Sequence, residues 1–236
     1  MIYKKKILGI VPARIGSKGL KFKNLRKVNN KPLVYWPIKA LKKSKYIDKI
    51  IVSTDSNKIR KLSKSYGAEV PFMRPKKLSM DKSKSSDVVI HALKFLSKRG
   101  VNFDFFIMLE PTSPLTTFKD VDNAIEKFYK NSKKYDSAIS VTENISGHPN
   151  FCVKIKKNNT IKPFLKNFKT YRRQSLRKLY FYSGNFYISK IISFLKKKTF
   201  YHKKSLPIIS GKIKAFEIDD QIDLEIVDFI MKKKIE

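Results

Sequence analysis

The segment VPARIGSKGLKFKN at residues 11–24 contains the first group of side chains in the chain whose types and spacing suit a chemical role. It combines basic side chains with two glycines: Arg14, Lys18, Lys21, Lys23, Gly16 and Gly19. Glycine lets a backbone approach an anion closely, and backbone N–H groups share the charge of that anion with Lys and Arg. The segment follows an apolar run, as phosphate-binding loops do. It therefore predicts a polyphosphate site, with a solvated basic turn as the alternative.

The loop fits neither of the two common phosphate-binding patterns. No GxxxxGK[ST] and no GxGxxG occurs in the chain, so it is neither a Walker loop nor a dinucleotide fingerprint. These residues alone indicate a polyphosphate without saying which one.

A pair of carboxylates lies near the other end of the chain. Glu217 and Asp219 are two residues apart at the end of a predicted strand, so both point to one face. Paired carboxylate oxygens that face a polyphosphate suit Mg²⁺, which prefers oxygen ligands and keeps several waters. Asp223, three residues beyond Asp220, is expected to help start the last helix rather than to bind a metal.

The elements that must position these residues alternate between strand and helix in the first half of the chain. Apolar runs predict strands at residues 7–11, 49–54, 69–72, 105–109 and 137–141. Patterns with the 3.6-residue period predict helices at residues 32–41, 57–66, 86–96 and 120–129. This alternation is typical of an α/β fold with a parallel sheet.

After residue 142 the alternation ends. Residues 143–190 contain short β-like pieces and little helix, and we interpret them as a small β-rich lobe, inserted or appended, that could serve dimerisation. A helix near 189–197, a strand at 213–218 and a helix at 221–234 follow. The length of 236 residues suits one domain spanning residues 1–236.

Composition narrows the class of protein. The formal net charge is +34, a value that often indicates a nucleic-acid or membrane surface. However, 45 of the 53 basic residues are lysines spread along the chain, whereas nucleic-acid surfaces favour arginine. Cys152 is the single cysteine, and the three histidines are far apart. We expect no signal peptide, because Pro12 and Arg14 end the first apolar run, and no apolar run is long enough for a membrane. We therefore expect a soluble, cytoplasmic protein without a specific nucleic-acid partner.

Seven motifs together resemble a known family. The loop at residues 11–24 is similar to the N-terminal motif of the acylneuraminate cytidylyltransferases, the CMP-sialic acid synthetase family. Six more motifs follow in family order: STDS (53–56), RPKKLSMDKSKS (74–85), LEPTSPL (109–115), RRQSL (172–176), SGNFYI (183–188) and EIDDQIDL (217–224). The resemblance covers nearly the whole chain.

The resemblance implies a fold, a reaction and partners. The family has a Rossmann-like, mostly parallel sheet with helices on both faces, and it forms homodimers through the inserted lobe. It transfers CMP from CTP to the anomeric hydroxyl of a nonulosonic acid with Mg²⁺ and releases pyrophosphate. The acceptor would be an acidic keto sugar of the sialic, legionaminic or pseudaminic type. The alternatives are a Kdo-type cytidylyltransferase, a CTP-binding paralogue without sugar turnover and, least favoured, a basic nucleic-acid-binding protein.

The same resemblance implies roles for individual residues at the nucleotide end. The catalytic residues would be Arg14, Lys18, Lys23 and Asp219, and Lys21 would be surface charge. The metal would be held by Asp219 and Glu217, although the family usually has Asp at both positions. The nucleotide would be bound by Ala13, Arg14, Asn24, Arg74 and Ser85.

At the sugar end the chain departs from the family pattern. The resemblance implies sugar contacts by Arg173, Gln174, Tyr187 and Glu110. Glu110 stands where the family usually has Gln and adds a negative charge beside an anionic sugar. The other departures are Thr116 for Arg, Ser183 for Asn, and Asn185 with Phe186 for Ala-Ile. They leave the identity of the sugar open.

Overall fold

The computed structural model describes residues 2, 4–144, 147–166 and 172–233, without the side chain of Arg173. Its centre is a six-stranded sheet with the order β10-β6-β9-β5-β1-β4. These strands are β1 (Ile7–Pro12), β4 (Lys49–Ser53), β5 (Phe105–Leu109), β6 (Ser137–Glu143), β9 (Tyr180–Lys190) and β10 (Ser205–Ile209). Only β9 runs antiparallel to its neighbours, so the mostly parallel α/β sheet is confirmed.

Helices cover both faces of the sheet. They are α1 (Tyr35–Lys43), α2 (Asn57–Ser65), α3 (Ser85–Ser97), α4 (Phe118–Lys130), α5 (Ile191–Lys197) and α6 (Gln221–Lys233). Side chains of α1, α2 and α4 share one core cluster with β1 and β5, and α3 and α5 share a second cluster on the opposite face. All five residues of β5 are buried, as a strand covered on both faces requires.

Two small two-stranded sheets complete the fold. One joins β2 (Lys27–Val28) to β3 (Lys31–Pro32), and the other joins β7 (Val153–Ile155) to β8 (Ile161–Pro163). The second is a hairpin in the lobe, and its side chains are largely exposed. Among the described residues, no helix is both long and apolar enough to cross a membrane.

Capping side chains explain where several helices begin. Thr117 and Asp120 form a reciprocal capping box at the start of α4, and the Ser56 hydroxyl accepts from the Ile59 amide at the start of α2. At α6, Asp220 accepts from the Asp223 amide while Asp223 accepts from the Asp220 amide. These bonds satisfy N–H groups that the first helical turn leaves without a partner.

The strand predicted at 213–218 is wrong. Residues Ile213–Ala215 form a 3-10 turn, and the edge strand of the sheet is β10, which pairs in parallel with β6. Within the predicted strand at residues 69–72, only Glu69 forms an isolated bridge, to Ile51. Both segments are short apolar runs, for which periodicity alone does not distinguish a strand from other buried backbone.

The lobe is smaller than the predicted 143–190. Residues 180–190 form β9, which lies inside the central sheet between β5 and β6 and reaches beyond the expected helix start at 189. An alternating pattern predicts a strand, but it does not say which sheet the strand enters.

Candidate functional site

A pocket of about 490 Å³ lies at the carboxyl ends of β1, β4 and β5, the usual ligand position in an open α/β sheet. Eight of the residues expected at the site line it: Arg14, Lys18, Lys23, Asn24, Arg74, Ser85, Glu110 and Asp219. Lys21 is exposed and does not line it. The tertiary structure thus joins residues from both ends of the chain in one pocket.

The basic loop is held in place by hydrogen bonds from three directions. The Ala13 amide donates to the Ser53 carbonyl at 2.9 Å, and Ala13 itself is buried beneath the pocket. The Ile15 amide donates to the Asp55 carboxylate at 2.8 Å. The Asn24 side-chain amide donates to the Arg14 carbonyl at 2.8 Å. The loop is therefore a fixed cradle rather than a free turn.

Gly19 is required by the contact between the loop and the segment before α6. A Cβ at this position would lie 2.5 Å from the carbonyl oxygen of Asp219, whereas a Cβ at Gly16 would meet nothing within 4 Å. Only glycine, which has no Cβ, allows two backbones to approach each other this closely. The first glycine of the loop has no such steric reason in the structure.

The cations of the pocket are paired with carboxylates of the same chain. Arg14 donates to Asp81 at 2.8 Å, and the Lys18 ammonium is 3.5 Å from the same carboxylate. Lys23 donates to Asp219 at 2.9 Å and to the Ile218 carbonyl at 3.0 Å. The hydrogen bond from Arg14 lowers the pKa of Asp81, with a smaller contribution from Lys18. Asp81 thus lies where an anionic ligand of these cations would compete with it.

Arg74 is a buried cation beneath the pocket. Its guanidinium donates through Nε to the Ser53 hydroxyl at 3.0 Å and through Nη2 to the Ser53 carbonyl. Burial lowers the pKa of Arg74 to about 10, while the charge of Asp55 opposes that fall. Arg74 remains charged at neutral pH, and the Ser53 bonds fix the direction of its planar fork.

The charges of three carboxyl groups interact at this site: Glu110 and Asp219, which line the pocket, and Glu217, which does not line it. Burial, together with the charge of Glu217, raises the pKa of Glu110 to about 7. Burial also raises the pKa of Glu217, opposed by a hydrogen bond from the Ser113 hydroxyl. Lys23 is the cation that favours the charged form of both glutamates.

Gly184 makes room for the Glu217 carboxylate. Its φ is +62°, in the left-handed region, and a Cβ there would overlap a carboxylate oxygen of Glu217. Glycine is therefore required at position 184 both by the backbone conformation and by the space that Glu217 occupies. Next to it the Ser183 hydroxyl is buried without a hydrogen-bond partner among the described residues.

The residues expected at the sugar end lie in different surroundings. Tyr187 on β9 stacks on Phe200 at 4.6 Å, and burial raises its pKa, with neighbouring Tyr201 and Glu110 adding to the rise. Gln174 is exposed and lines a separate cavity beside His148 in the lobe. The side chain of Arg173 lies outside the described residues. The single chain therefore does not bring Gln174 to the pocket that contains the basic loop.

Two acidic residues of the site act through contacts between distant segments. Ser56 caps α2, whereas the neighbouring Asp55 accepts a hydrogen bond from the Ile15 amide. Asp81 is paired with Arg14 and Lys18. Partners 40 and 67 residues apart leave no local signal in the sequence.

Comparisons with known proteins agree with the motifs. The family model described as cytidylyltransferase matches residues 8–234. An N-acylneuraminate cytidylyltransferase of Escherichia coli is 34% identical over 97% of this chain, which spans 53% of that protein's length. A CMP-N,N'-diacetyllegionaminic acid synthase of Legionella pneumophila is 33% identical over 96% of this chain and 97% of its own. A pseudaminic acid cytidylyltransferase of Campylobacter jejuni is 30% identical over 96% of this chain and 97% of its own.

A solved structure shares the fold. A CMP:2-keto-3-deoxy-manno-octonic acid synthetase in complex with CTP superposes with a TM-score of 0.69, covering 98% of this chain and 100% of its own. Its sequence identity is 16%, so this likeness supports the fold alone.

Replacing Asp81 by Asn should strengthen polyphosphate binding. The variant removes the carboxylate that pairs with Arg14 and Lys18, and exposed pairs of this kind correspond to about a two- to fivefold change in affinity. Titration calorimetry with tripolyphosphate measures this directly. Asp104→Asn is the control, because it makes the same charge change at the amino end of β5, whereas the pocket lies at the carboxyl end. Equal affinities in the two variants would show that Asp81 does not compete for the pocket.

Replacing Glu110 by Gln should change the pH dependence of stability. Because the folded-state pKa of Glu110 is about 7 against an ordinary 4.5, stability present below pH 4.5 is lost as pH rises to about 7. Gln does not ionise, so the Glu110→Gln variant does not lose stability in this way as the pH rises. From about pH 5 to about pH 8 the unfolding free energy of Glu110→Gln relative to wild type should therefore rise by about 2–3 kcal/mol.

Urea denaturation of metal-free protein at the two pH values provides the measurement, with Glu225→Gln, an exposed glutamate on α6, as the control. A Glu110→Gln difference that is the same at both pH values would contradict the assigned pKa.

Proposed function

The chain belongs to the cytidylyltransferase family, and from that premise we propose that it transfers CMP from CTP to the anomeric hydroxyl of a nonulosonic acid and releases pyrophosphate. The observation that carries the proposal is the pocket that joins the basic loop to Glu110 and Asp219. The relatives are named for N-acylneuraminic, legionaminic and pseudaminic acids, and these names support this class of acceptor.

The basic residues fit displacement at the α-phosphate of a nucleotide. Negative charge grows on the phosphoryl oxygens and on the departing pyrophosphate, and fixed cations stabilise it. We propose that Arg14, Lys18 and Lys23 take this role. Lys23 is already oriented by the Ile218 carbonyl and Asp219, so little side-chain freedom has to be lost when a ligand binds.

The base and ribose would lie toward Asn24, Arg74 and Ser85, which line the same pocket. Asn24 is buried and holds the Arg14 carbonyl, while Ser85 stands at the start of α3. We propose that these side chains, above the buried Ala13, select cytosine. Their placement at the strand ends next to the triphosphate loop supports this division of roles.

The sugar would occupy the region of Glu110 and Tyr187. A Glu110 carboxyl with a pKa of about 7 is partly protonated at neutral pH, so it can donate a hydrogen bond to the acceptor instead of only repelling its carboxylate. This answers the apparent conflict of a glutamate beside an acidic sugar. A carboxyl of the Glu110–Glu217–Asp219 cluster would accept the proton of the attacking hydroxyl.

Among the described residues no group of three or more metal-ligating side chains occurs, so Mg²⁺, which the family resemblance implies, would have to be bound by two carboxylates. Mg²⁺ is bound by one or two carboxylates together with substrate phosphates. Asp219 lines the pocket with its side chain 79% exposed, and Glu217, whose pKa is raised chiefly by burial, interacts with the charge of Asp219. Asp219 and Glu217 would hold the ion, which would supply charge neutralisation on the phosphates.

Pyrophosphate release from CTP tests the reaction. We expect release that requires CTP, rather than ATP, GTP or UTP, and one member of a panel of sialic, legionaminic, pseudaminic and Kdo acids. Asp219→Asn should reduce turnover at least about 100-fold, since it removes a charge that faces the reacting phosphates.

Asp220→Asn is the matched control because Asn still caps α6. Equal turnover in the two variants would show that Asp219 has no role in the reaction. CTP binding without pyrophosphate release from any acid of the panel would favour the paralogue without sugar turnover, and release with Kdo alone would favour the Kdo-type enzyme.

We propose in addition that the chain forms a homodimer through the lobe. Exposed apolar side chains cluster on the β7–β8 hairpin and the first residues of β9: Val153, Ile155, Ile161, Phe164, Tyr180, Phe181 and Tyr182. Exposed apolar side chains in this number on one lobe are typical of an interface. A second copy would also give Gln174, which lies far from its own pocket, a partner site to approach.

Replacing Ile155, which is 77% exposed, by Lys should shift the protein toward the monomer because a charge would be buried at the interface. Ile192→Lys, at a residue on α5 that is 85% exposed, is the control and should leave assembly unchanged. Sedimentation velocity distinguishes the two species. Wild type that is monomeric at all concentrations, or dimers that persist in Ile155→Lys, would contradict this interface.

A further inference from the structure

A second cavity, of about 380 Å³, lies behind the loop that follows β5. It opens between α1, the residues 114–118 and α6, and it is lined by Trp36, Lys39, Lys43, Leu115, Phe118, Lys214, Ile230 and Met231 among others. The substrate pocket is lined by residues 110–112 of the same loop. The two cavities therefore share a wall but no lining residue.

The floor of this second cavity is apolar. Leu115 and Ile230 are buried, and the Trp36 ring packs against the same core cluster. The Trp36 indole Nε1 is buried without a hydrogen-bond partner among the described residues. Buried indole N–H groups usually have a partner, and an acceptor on a ligand seated against the ring would satisfy this donor.

The rim of the second cavity is cationic. Its lining includes three lysines and no carboxylate. Lys39 Nζ is 4.9 Å from the Trp36 ring centroid, and Lys43 Nζ is 5.9 Å from the Phe118 ring centroid. Lys214 is paired with Asp120 at 3.3 Å. Within the described part of the chain no carboxylate pairs with Lys39 or Lys43, so these two ammonium groups are available to an anion.

The abundance of lysine in this chain means that a cationic rim alone carries little weight. What distinguishes this cavity is the combination of a concave apolar floor built from three elements, a buried donor without a partner, and two unpaired cations stacked over the rings that form its walls. A cavity of this size lies within the range of small-molecule sites.

We propose that this cavity is a second ligand site, distinct from the substrate pocket, for a small amphipathic anion. The ligand would place an apolar, preferably aromatic, body against Trp36 and Leu115 and a carboxylate, sulfonate or phosphate group between Lys39 and Lys43. This inference does not depend on the proposed function, since it concerns residues outside the substrate pocket.

The single tryptophan of the chain makes the site observable. The probe is 8-anilinonaphthalene-1-sulfonate, which combines an aromatic body with one anionic group, and its binding is followed by saturable quenching of Trp36 emission. Lys39→Glu with Lys43→Glu should weaken binding about tenfold, because two attractive contacts become repulsive. Lys42→Glu, an exposed lysine on the same helix that does not line the cavity, should leave binding unchanged.

Two further arms separate this site from other surfaces. Saturating CTP should not displace the probe, and the uncharged analogue N-phenyl-1-naphthylamine should bind more weakly than the sulfonate. Circular dichroism checks that the variants fold. Displacement by CTP would show that the probe binds in the substrate pocket. Equal affinity of wild type and the Lys39/Lys43 variant would show that the probe binds only through nonspecific apolar contact. Either result would overturn the proposal.

Discussion

The contact between the basic loop and the segment before α6 is the constraint on which the rest of the site depends. Lys23 reaches Asp219 across 196 positions of sequence, and Gly19 lets the loop backbone lie against the Asp219 carbonyl. This contact closes the pocket, because it fixes cations from the start of the chain against carboxylates from its end. The Asp220–Asp223 capping bonds hold the same segment from the other side, so the start of α6 and the site are built together.

The electrostatics of the pocket follow from this closure. In a chain of net charge +34 the cations of the site are nevertheless paired internally, Arg14 and Lys18 with Asp81, and Lys23 with Asp219. A bound anion exchanges one set of ion pairs for another instead of meeting bare charge, which limits nonspecific binding of polyanions. Glu110 and Glu217, which are half-buried near Lys23, have raised pKa values chiefly because burial disfavours their charged form.

The strand β9 connects the central sheet beside the site to the lobe. It leaves the exposed lobe at Tyr180 and enters the sheet between β5 and β6, with an irregular register around Ser140 where Gly184 accommodates Glu217. The departures from the family pattern cluster here. Asn185 donates to Thr116, so these two unusual residues compensate each other, whereas Ser183 and Glu110 remain without an equivalent exchange and are the side chains through which acceptor choice would differ.

The sequence by itself determined the alternation of strands and helices, the mostly parallel sheet and the caps of α6, because these depend on periodicity and on partners a few residues away. It also predicted polyphosphate binding by the basic loop. The family motifs added the reaction class and most residues of the pocket. Only the tertiary structure decided the place of β9, the replacement of a strand at 213–218 by β10 as the sheet edge, and the roles of Asp55 and Asp81. Those features depend on contacts between distant segments, and the short apolar runs involved are compatible with more than one partner until the whole chain packs.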